Sequence, residues 1–466
     1  MSTRKKILIG AIALPICLII SFVFASLFTA NSVEYFNFST RDAEFYIWLV
    51  VLFLINTACI LAFSQTSVRK KTIDFFQIFD KKAKLEPLAI ILCGIVAIMF
   101  FFIAHYGPTD YKPHTEFALE FDWSSLGKSI VVLAHPLWHF FTSIFVKAFY
   151  FAPVIACGLS TAIFCSLTFL VTRAILIYYV DDSKYNLVCD VFAMLLMYMQ
   201  PLYIKQFNPN QIIGQGSPFM LHNPTSLAVQ PFALICTFIL IKILKTYFKD
   251  KNNPTFKEYL RLSFFSFLST LAKPSFLQVF LPAIFVLLIV PLILNKFKDI
   301  KFCLKLVAAF TPSILNIIRV LIFEFIFPTS SDGGIAIEFF SVWSAQSPFV
   351  PLSIILAAGF CLFYIILKNK KIINKLDIGF ILICWIIGIL EFGFITETGY
   401  RKFHGNFSWG YCTSLSLMYV FVTAELLKNS LSRISSIKRL GVPEILAFFM
   451  LSVQFVQGII YFFSIV

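Results

Sequence analysis

Residues 105–140 read HYGPTDYKPHTEFALEFDWSSLGKSIVVLAHPLWHF, a long polar and aromatic-rich stretch in a chain that is otherwise almost continuously apolar. It carries four of the six histidines (His105, His114, His135 and His139) and the acids Asp110, Glu116, Glu120 and Asp122. On either side lie apolar runs on the scale of the roughly 20 residues that a helix needs to cross a bilayer. Of 466 residues, 59% are hydrophobic and only 13% are charged. The fold class expected is an all-α polytopic membrane protein, with this stretch as an external, partly amphipathic loop region.

Working outward, thirteen apolar spans can be drawn, with 11 to 13 as the range expected for transmembrane helices. They lie near 7–29, 46–64, 88–105, 150–172, 186–204, 227–246, 259–273, 276–295, 303–325, 348–367, 377–395, 411–427 and 443–465. The first, from Ile7 to about Leu27, is longer than a signal-peptide core and reads as a retained anchor. The spans divide into an N-terminal two-helix segment, 1–87, and a core, 88–466. With the N-terminus cytoplasmic, roughly 29 Lys and Arg fall on or near cytoplasmic segments and about 8 outside, the positive-inside bias.

The formal charge of +14 does not indicate a nucleic-acid partner, because it sits in short clusters between apolar runs: Arg4 to Lys6, Arg69 to Lys71, Lys368 to Lys375 and Lys428 to Arg439. Eleven cysteines occur singly and without CxxC, as small core residues do. P-loop and dinucleotide fingerprints are absent, and there is no internal repeat or soluble domain.

In this frame all six histidines fall at or beyond the outer face, as do the longer polar loops 106–149, 205–226, 326–347 and 396–410. Asp110 follows the third span in TDYKPH, bracketed by Pro108 and Pro113, which stop the helix from simply continuing. Phe117, Leu119 and Phe121 then alternate with acids, as in a segment lying in the membrane interface. An Asp held there can act as a general base towards a hydroxyl or ligate a divalent cation. His135 and His139, in AHPLWH, are one helical turn apart and can share a cavity face, where they suit hydrogen bonding to phosphate or sugar oxygens. No third clustered ligand points to zinc, so no metal site is assigned.

The loop from Asn208, NPNQIIGQGSPFMLHNPTSLAVQPF, offers turns and neutral hydrogen-bonding groups suited to sugar hydroxyls. His222 and Asn223 end it, and Thr225 or Ser226 is expected to cap the next helix, a helix N-terminus that suits a phosphate. The span 259–273 is short and ends in LAKPSF at Lys273, so it is either tilted or half of a hairpin. Arg319 lies inside a span, where a charge faces a cavity or a partner, with Glu324 as a local candidate. ETGYRKFHGNFSWGY concentrates Glu397, Arg401, Lys402, His404, Asn406 and Trp409: cations for a phosphate and an indole for a sugar face.

A membrane helix, an external loop with an early lone Asp and an amphipathic continuation, and then many helices resemble the GT-C class of integral-membrane glycosyltransferases. TDYKPH, AHPLWH, HNPTSLAVQPF, AKPSF and ETGYRKFHGNFSWG more specifically resemble segments of poorly characterised bacterial proteins of that class. The resemblance runs from about residue 88 onward. It implies a polyprenyl-phosphate-linked sugar donor, a cell-envelope glycan or lipid acceptor, and a site on the outer face of a bacterial plasma membrane. It also implies that the catalytic acid is Asp110, with His114, His135, His139, His222, Asn223, Lys273, Arg319, Glu397, Arg401, His404 and Trp409 around the substrates. If the core began at the first span, Asp42 in STRDAEFY would take that role instead. No second acid adjoins Asp110, so the implied reaction is metal-independent, with a divalent cation (Mg or Mn) as the alternative. Two rival readings are a transporter or flippase for a lipid-linked glycan, and an external glycan polymerase or ligase.

Overall fold

The computed structural model describes residues 16–22, 25, 46–47, 49–56, 74–79, 86–106, 110–121, 132, 134–206, 208, 210, 213–219, 221–326, 334–368, 370–373, 375–436 and 439–465. Most of the first two spans, and Asp42 with Glu44, lie outside these residues.

The core helices are α1 (Pro87–Tyr106), α2 (Tyr111–Glu120), α3 (Pro136–Lys147), α4 (Pro153–Val180), α5 (Asn186–Tyr198), α6 (Pro224–Leu244) and α7 (Phe256–Ala272). They continue with α8 (Ser275–Leu294), α9 (Ile300–Ile326), α10 (Ser341–Gln346), α11 (Val350–Lys368), α12 (Leu376–Phe394), α13 (Ser408–Ser435) and α14 (Val442–Ile465). Among the described residues eight helices are long and apolar enough to cross a membrane: α4, α6, α8, α9 and α11 to α14. The chain is therefore an all-α integral membrane protein whose outer helices meet lipid.

All eleven spans drawn from residue 88 onward contain a helix, but two fall short of a full crossing, whereas α1 has 20 residues, about 30 Å of helix. α7 has 17 residues, closed at its start by a capping box of Thr255 and Glu258 and at its end by Lys273. α5 has only 13, about 20 Å of helix. The apolar run there continues to Ile204, but Pro201 forbids further helix and Met199 is already extended. The described parts of the loop 106–149, conversely, are largely helical, because they hold α2 and α3.

Helices α6 and α13 form the centre. Both are buried on nearly all sides, and α13 carries Thr413, Ser414, Ser416 and Thr423 inward. Small and hydroxyl-bearing residues let helix backbones approach where no hydrophobic drive exists in lipid. Gly388 of α12 shows how close: a Cβ there would lie 2.7 Å from the Tyr411 Cα. The outer helices expose Phe285, Leu294, Leu321 and Phe463, side chains that match acyl chains.

One end of the bundle is tied by ion pairs. Arg173 Nε donates to Asp190 Oδ1 at 2.5 Å, Lys245 and Tyr179 share Asp377, Lys375 meets Glu425, and Lys368 and Arg433 meet Glu444. At that end Arg261 also donates to the carbonyls of Asp74, Phe75 and Gln77, fixing residues 74–79 against α7. The opposite end collects the turns and loops that contain the candidate site residues.

The Arg173–Asp190 pair is fully buried, so removing one charge strands the other. Arg173→Met is expected to cost about 3–5 kcal/mol of stability, and Arg173→Met with Asp190→Leu to recover most of it. Thermal midpoints of both purified variants in detergent test this; equal losses would show that the pair does not act as a unit.

Candidate functional site

The site begins with Lys273, just past α7, where the chain turns through Pro274 into α8. Its ammonium is 6% exposed as a residue and donates to Asn223 Oδ1 (3.1 Å), Thr225 Oγ1 (3.3 Å) and Ser226 Oγ (2.8 Å). Its Nζ also stands 3.8 Å from the centre of the Trp409 ring, a cation–π contact. These partners hydrate the ammonium in effect, but none of them cancels its charge.

Asn223 connects this cation to an acid. It is the N-cap of α6, its Oδ1 accepting from Ser226 N at 2.9 Å, and its Nδ2 donates to Asp110 Oδ2 at 2.8 Å. The cap was expected at Thr225 or Ser226. Those residues instead occupy the first turn and turn their hydroxyls to Lys273. Asp110 N donates to the His222 carbonyl at 2.9 Å, locking the start of α2 against the start of α6. Asp110 spends neither oxygen on capping α2, so among the described residues Oδ1 has no hydrogen-bond partner.

α2 buries Tyr111, His114, Thr115 and Ala118, an i, i+3, i+4, i+7 stripe. The helical period, rather than the alternation of Phe117 with Leu119, is what orients it. The stripe faces α3, where His114 Nδ1 lies 2.9 Å from His139 Nε2 and His139 Nδ1 lies 2.7 Å from the His135 carbonyl. A carbonyl only accepts, so His139 carries its proton on Nδ1; its Nε2 then accepts from His114 Nδ1–H, leaving His114 Nε2 a bare acceptor. His135 does not share a helix face with His139, since it is the non-helical N-cap of α3. Of the pair expected to hydrogen-bond phosphate or sugar oxygens, His139 uses both ring nitrogens within the protein, and the nitrogen left as an acceptor belongs to His114.

Burial, reinforced by the Lys273 charge, holds His114 and His135 well below the usual histidine range; burial brings His139 down to about 4. His222, tilted against the Trp409 ring at 5.8 Å, is likewise lowered to about 4, by burial against the opposing pull of Asp110. Lys273 is lowered to about 7 by burial, with Asp110 counteracting.

The last polar loop closes the other side. Trp409 Nε1 donates to Asn406 Oδ1 (3.3 Å), Asn406 Nδ2 to Glu397 Oε2 (2.5 Å), and Arg401 Nη2 lies 3.4 Å from Glu397 Oε1. A chain of contacts thus runs from Arg401 through Glu397, Asn406, Trp409, Lys273 and Asn223 to Asp110. Strand β1 (Ile335–Ile337) pairs antiparallel with β2 (Ile395–Glu397), and Lys402 donates to Glu338 at 2.8 Å. Asn210 donates to Gln346 Oε1 and Trp343 Nε1 to the Gly214 carbonyl. The four polar loops expected to share one face are joined to each other.

Five helices start here: α2 at Asp110, α3 at His135, α6 at Asn223, α8 at Pro274 and α13 at Phe407. Each start carries a partial positive charge of about half a unit, so the site is electropositive beyond its one buried lysine. Among the described residues no three His, Cys, Asp or Glu side chains gather closely enough to hold a metal ion.

Two expected residues stand apart. His404 is exposed and lies against the Tyr400 ring. Arg319 donates to Asn316 Oδ1 at 2.9 Å and lines an open cleft of about 550 Å³ with Pro136, Phe267, Leu271, Pro312, Leu315 and Asn316. The side chain of Glu324 lies outside the described residues. Glu391 was not among the expected residues, although an acid inside an apolar run is a detectable signal, and the role of Asn406 depends on the fold.

Comparison with protein-family models, with curated proteins and with solved structures gave no match.

The neutral histidines make stability pH-dependent. Their native values lie below the unfolded value of about 6.5, so the unfolded chain takes up protons that the native state refuses. The histidine contribution to stability is full above pH 6.5 or so and is expected to fall as pH drops towards about 4. A thermal midpoint that stayed flat across that window would sink the assignment of neutral imidazoles.

Proposed function

We propose that this protein is a GT-C-like membrane glycosyltransferase that moves a sugar from a polyprenyl-phosphate donor to a cell-envelope glycan or lipid acceptor on the outer face of a bacterial plasma membrane. One observation carries this reading. An acid with a free oxygen, Asp110, is held one amide away from a buried cation, Lys273, whose charge no carboxylate cancels.

In this reading Asp110 Oδ1 accepts the proton of the acceptor hydroxyl as its oxygen attacks the anomeric carbon. The bond from that carbon to the phosphate oxygen breaks, and the electron pair leaves with the polyprenyl phosphate. Negative charge grows on the departing phosphate, and Lys273, Arg401 and the five helix starts are preorganised to stabilise it. Asn223 keeps acid and cation apart, so neither neutralises the other before substrate arrives. His114 Nε2 accepts from a substrate hydroxyl. The cleft carrying Arg319 is apolar except for Arg319 and Asn316 and borders α3 at Pro136, next to His135. It suits the isoprenoid chain, with Arg319 towards its phosphate end. Asp110, Asn223, Lys273, Trp409 and Glu397 are linked at one end of the bundle and the sequence shows no internal repeat, which favours an enzyme over a flippase.

Mass spectrometry of envelope glycans should show one sugar lost on deletion, with Asp110→Asn and with Lys273→Met, at matched protein levels in the membrane. Transfer that survives Asp110→Asn removes the proposed base and advances the transporter.

An anion binds Lys273 in its protonated form, and burial sets that group near pH 7. Affinity for a short prenyl phosphate, dianionic above its second pKa of about 6, is therefore expected to be highest between about pH 6 and 7. Above about pH 7, affinity falls by up to about tenfold per pH unit. Calorimetric titration checks this, and Lys273→Met should abolish both the binding and its slope.

A further inference from the structure

The small sheet at the site's end of the bundle grows directly out of a membrane helix. Beyond the pairs from Ile335 with Glu397 to Ile337 with Ile395, Glu338 N donates to the carbonyl of Phe394, the last residue of α12, at 2.9 Å. At the far end Thr398 N donates to the Gly334 carbonyl, also at 2.9 Å. Neighbours along a strand point to opposite faces, and residues directly opposite in a pair point to the same one. One face is turned to the protein, since Thr396 is buried and Ala336 opposite it is half-buried. The other carries Ile335 and Ile337, and Phe339 follows at the same alternation. These three are 69%, 84% and 75% exposed. Tyr400 and Phe403, in the turn Gly399–His404 after β2, add exposed apolar surface nearby.

Large apolar side chains gathered on one open face mark an interaction surface, and its surroundings say with what. On α12, Ile386 and Leu390 are exposed one turn apart, and Phe394 stands at the same spacing beyond them. This helix is long and apolar enough to cross a membrane, so its exposed stripe meets lipid. The Phe394 ring lies 5.1 Å from the Phe339 ring, edge to face, and carries the stripe onto the sheet. A water-soluble partner would have to end where the lipid-facing stripe begins, although the apolar surface does not. The charges here are paired, Glu338 with Lys402 and Glu397 with Arg401, and long basic side chains can keep their heads in water while their stems lie against apolar surface.

The backbone limits the depth. A two-stranded sheet has two edges whose N–H and C=O groups need partners, and hydrocarbon supplies none. The boundary between headgroups and acyl chains does, because water and headgroups reach the edges while the side chains dip.

We propose that β1 and β2 form a membrane-seated sheet, whose face of Ile335, Ile337 and Phe339 enters that boundary in the leaflet at the site's end of the bundle. The partner is the phospholipid surface itself. The seat bears on the site, because β2 ends at Glu397, which accepts from Asn406, and Asn406 accepts from the Trp409 that covers Lys273. The indole is thus tied through β2 to the membrane surface. This inference is independent of the reaction the site performs.

The test uses the full chain in phosphatidylcholine–phosphatidylglycerol vesicles, with the fluorophore NBD attached to Ile337→Cys or Phe339→Cys. Wild-type protein carried through the same labelling gives the background from native cysteines. Asn252→Cys, in an exposed loop at the ion-paired end, is the water reference, and Ile386→Cys is the acyl-chain reference. Lipids with a doxyl group near the headgroup should quench both sheet positions at least about twofold more than lipids with it near the chain end, and Ile386→Cys should show the reverse order. Iodide, which stays in water, should quench the sheet positions less than about half as much as Asn252→Cys. Iodide quenching equal to that of Asn252→Cys would leave the face in water and overturn the proposal. Protection from iodide and from both lipids would also overturn it, because a second copy or another protein would then cover the face. Should the ring contacts of Phe339 prove necessary for folding, Ile335→Cys takes its place with the same expected results.

Discussion

The whole site turns on how a membrane protein keeps an ammonium away from both water and carboxylates. Lys273 is solvated by one amide oxygen, two hydroxyls and one indole face. Removing any of these partners leaves a buried charge short of contacts, so the solvating groups must come from elements that hold still. They come from the first turn of α6 and the first turn of α13, the two most enclosed helices of the bundle. The rigid centre of the protein and its chemically interesting end are therefore one construction.

The arrangement of helix starts follows from the same constraint. A helix that begins in the interior leaves N–H groups without intrahelical partners. Five such beginnings around one place give a persistent positive field, and the side chains nearest to it are neutral histidines, amides and hydroxyls. Asp110 is the acid joined to the cation cluster through a single amide. At the other end of the bundle the same protein uses direct ion pairs. At the site end Arg401 and Lys402 are ion-paired as well, and it is Lys273 that meets its nearest acid only through Asn223.

Glu391 and Gly410 extend this logic inward. The glycine permits a carboxyl to stand between α8, α12 and α13, where a larger residue would close the space. The histidine chain from His135 through His139 to His114 does the analogous thing at the opposite wall, fixing which nitrogen is free. That histidine wall presents neutral hydrogen-bonding groups beside the Lys273 charge.

From sequence, the membrane class, the helices from residue 88 onward and the polar loops were readable, because hydropathy over about 20 residues is a local property. Asp110, His222, Asn223, Lys273 and Trp409 could be singled out as candidates, since they are polar residues at the edges of apolar runs. What sequence could not determine is which of them touch. Asn223 was one asparagine in an amide-rich loop until its N-cap position placed it between Lys273 and Asp110. Arg319 and His404 looked equivalent to the others, yet one lies in a separate cleft and the other is exposed, because depth and rotation about a helix axis are set by packing against neighbours. The same packing set α2 and α3 within the polar stretch and, among the described residues, left Glu391 as the buried acid that meets no cation. Pairing, burial and orientation are relations between distant segments, and only the assembled bundle decides them.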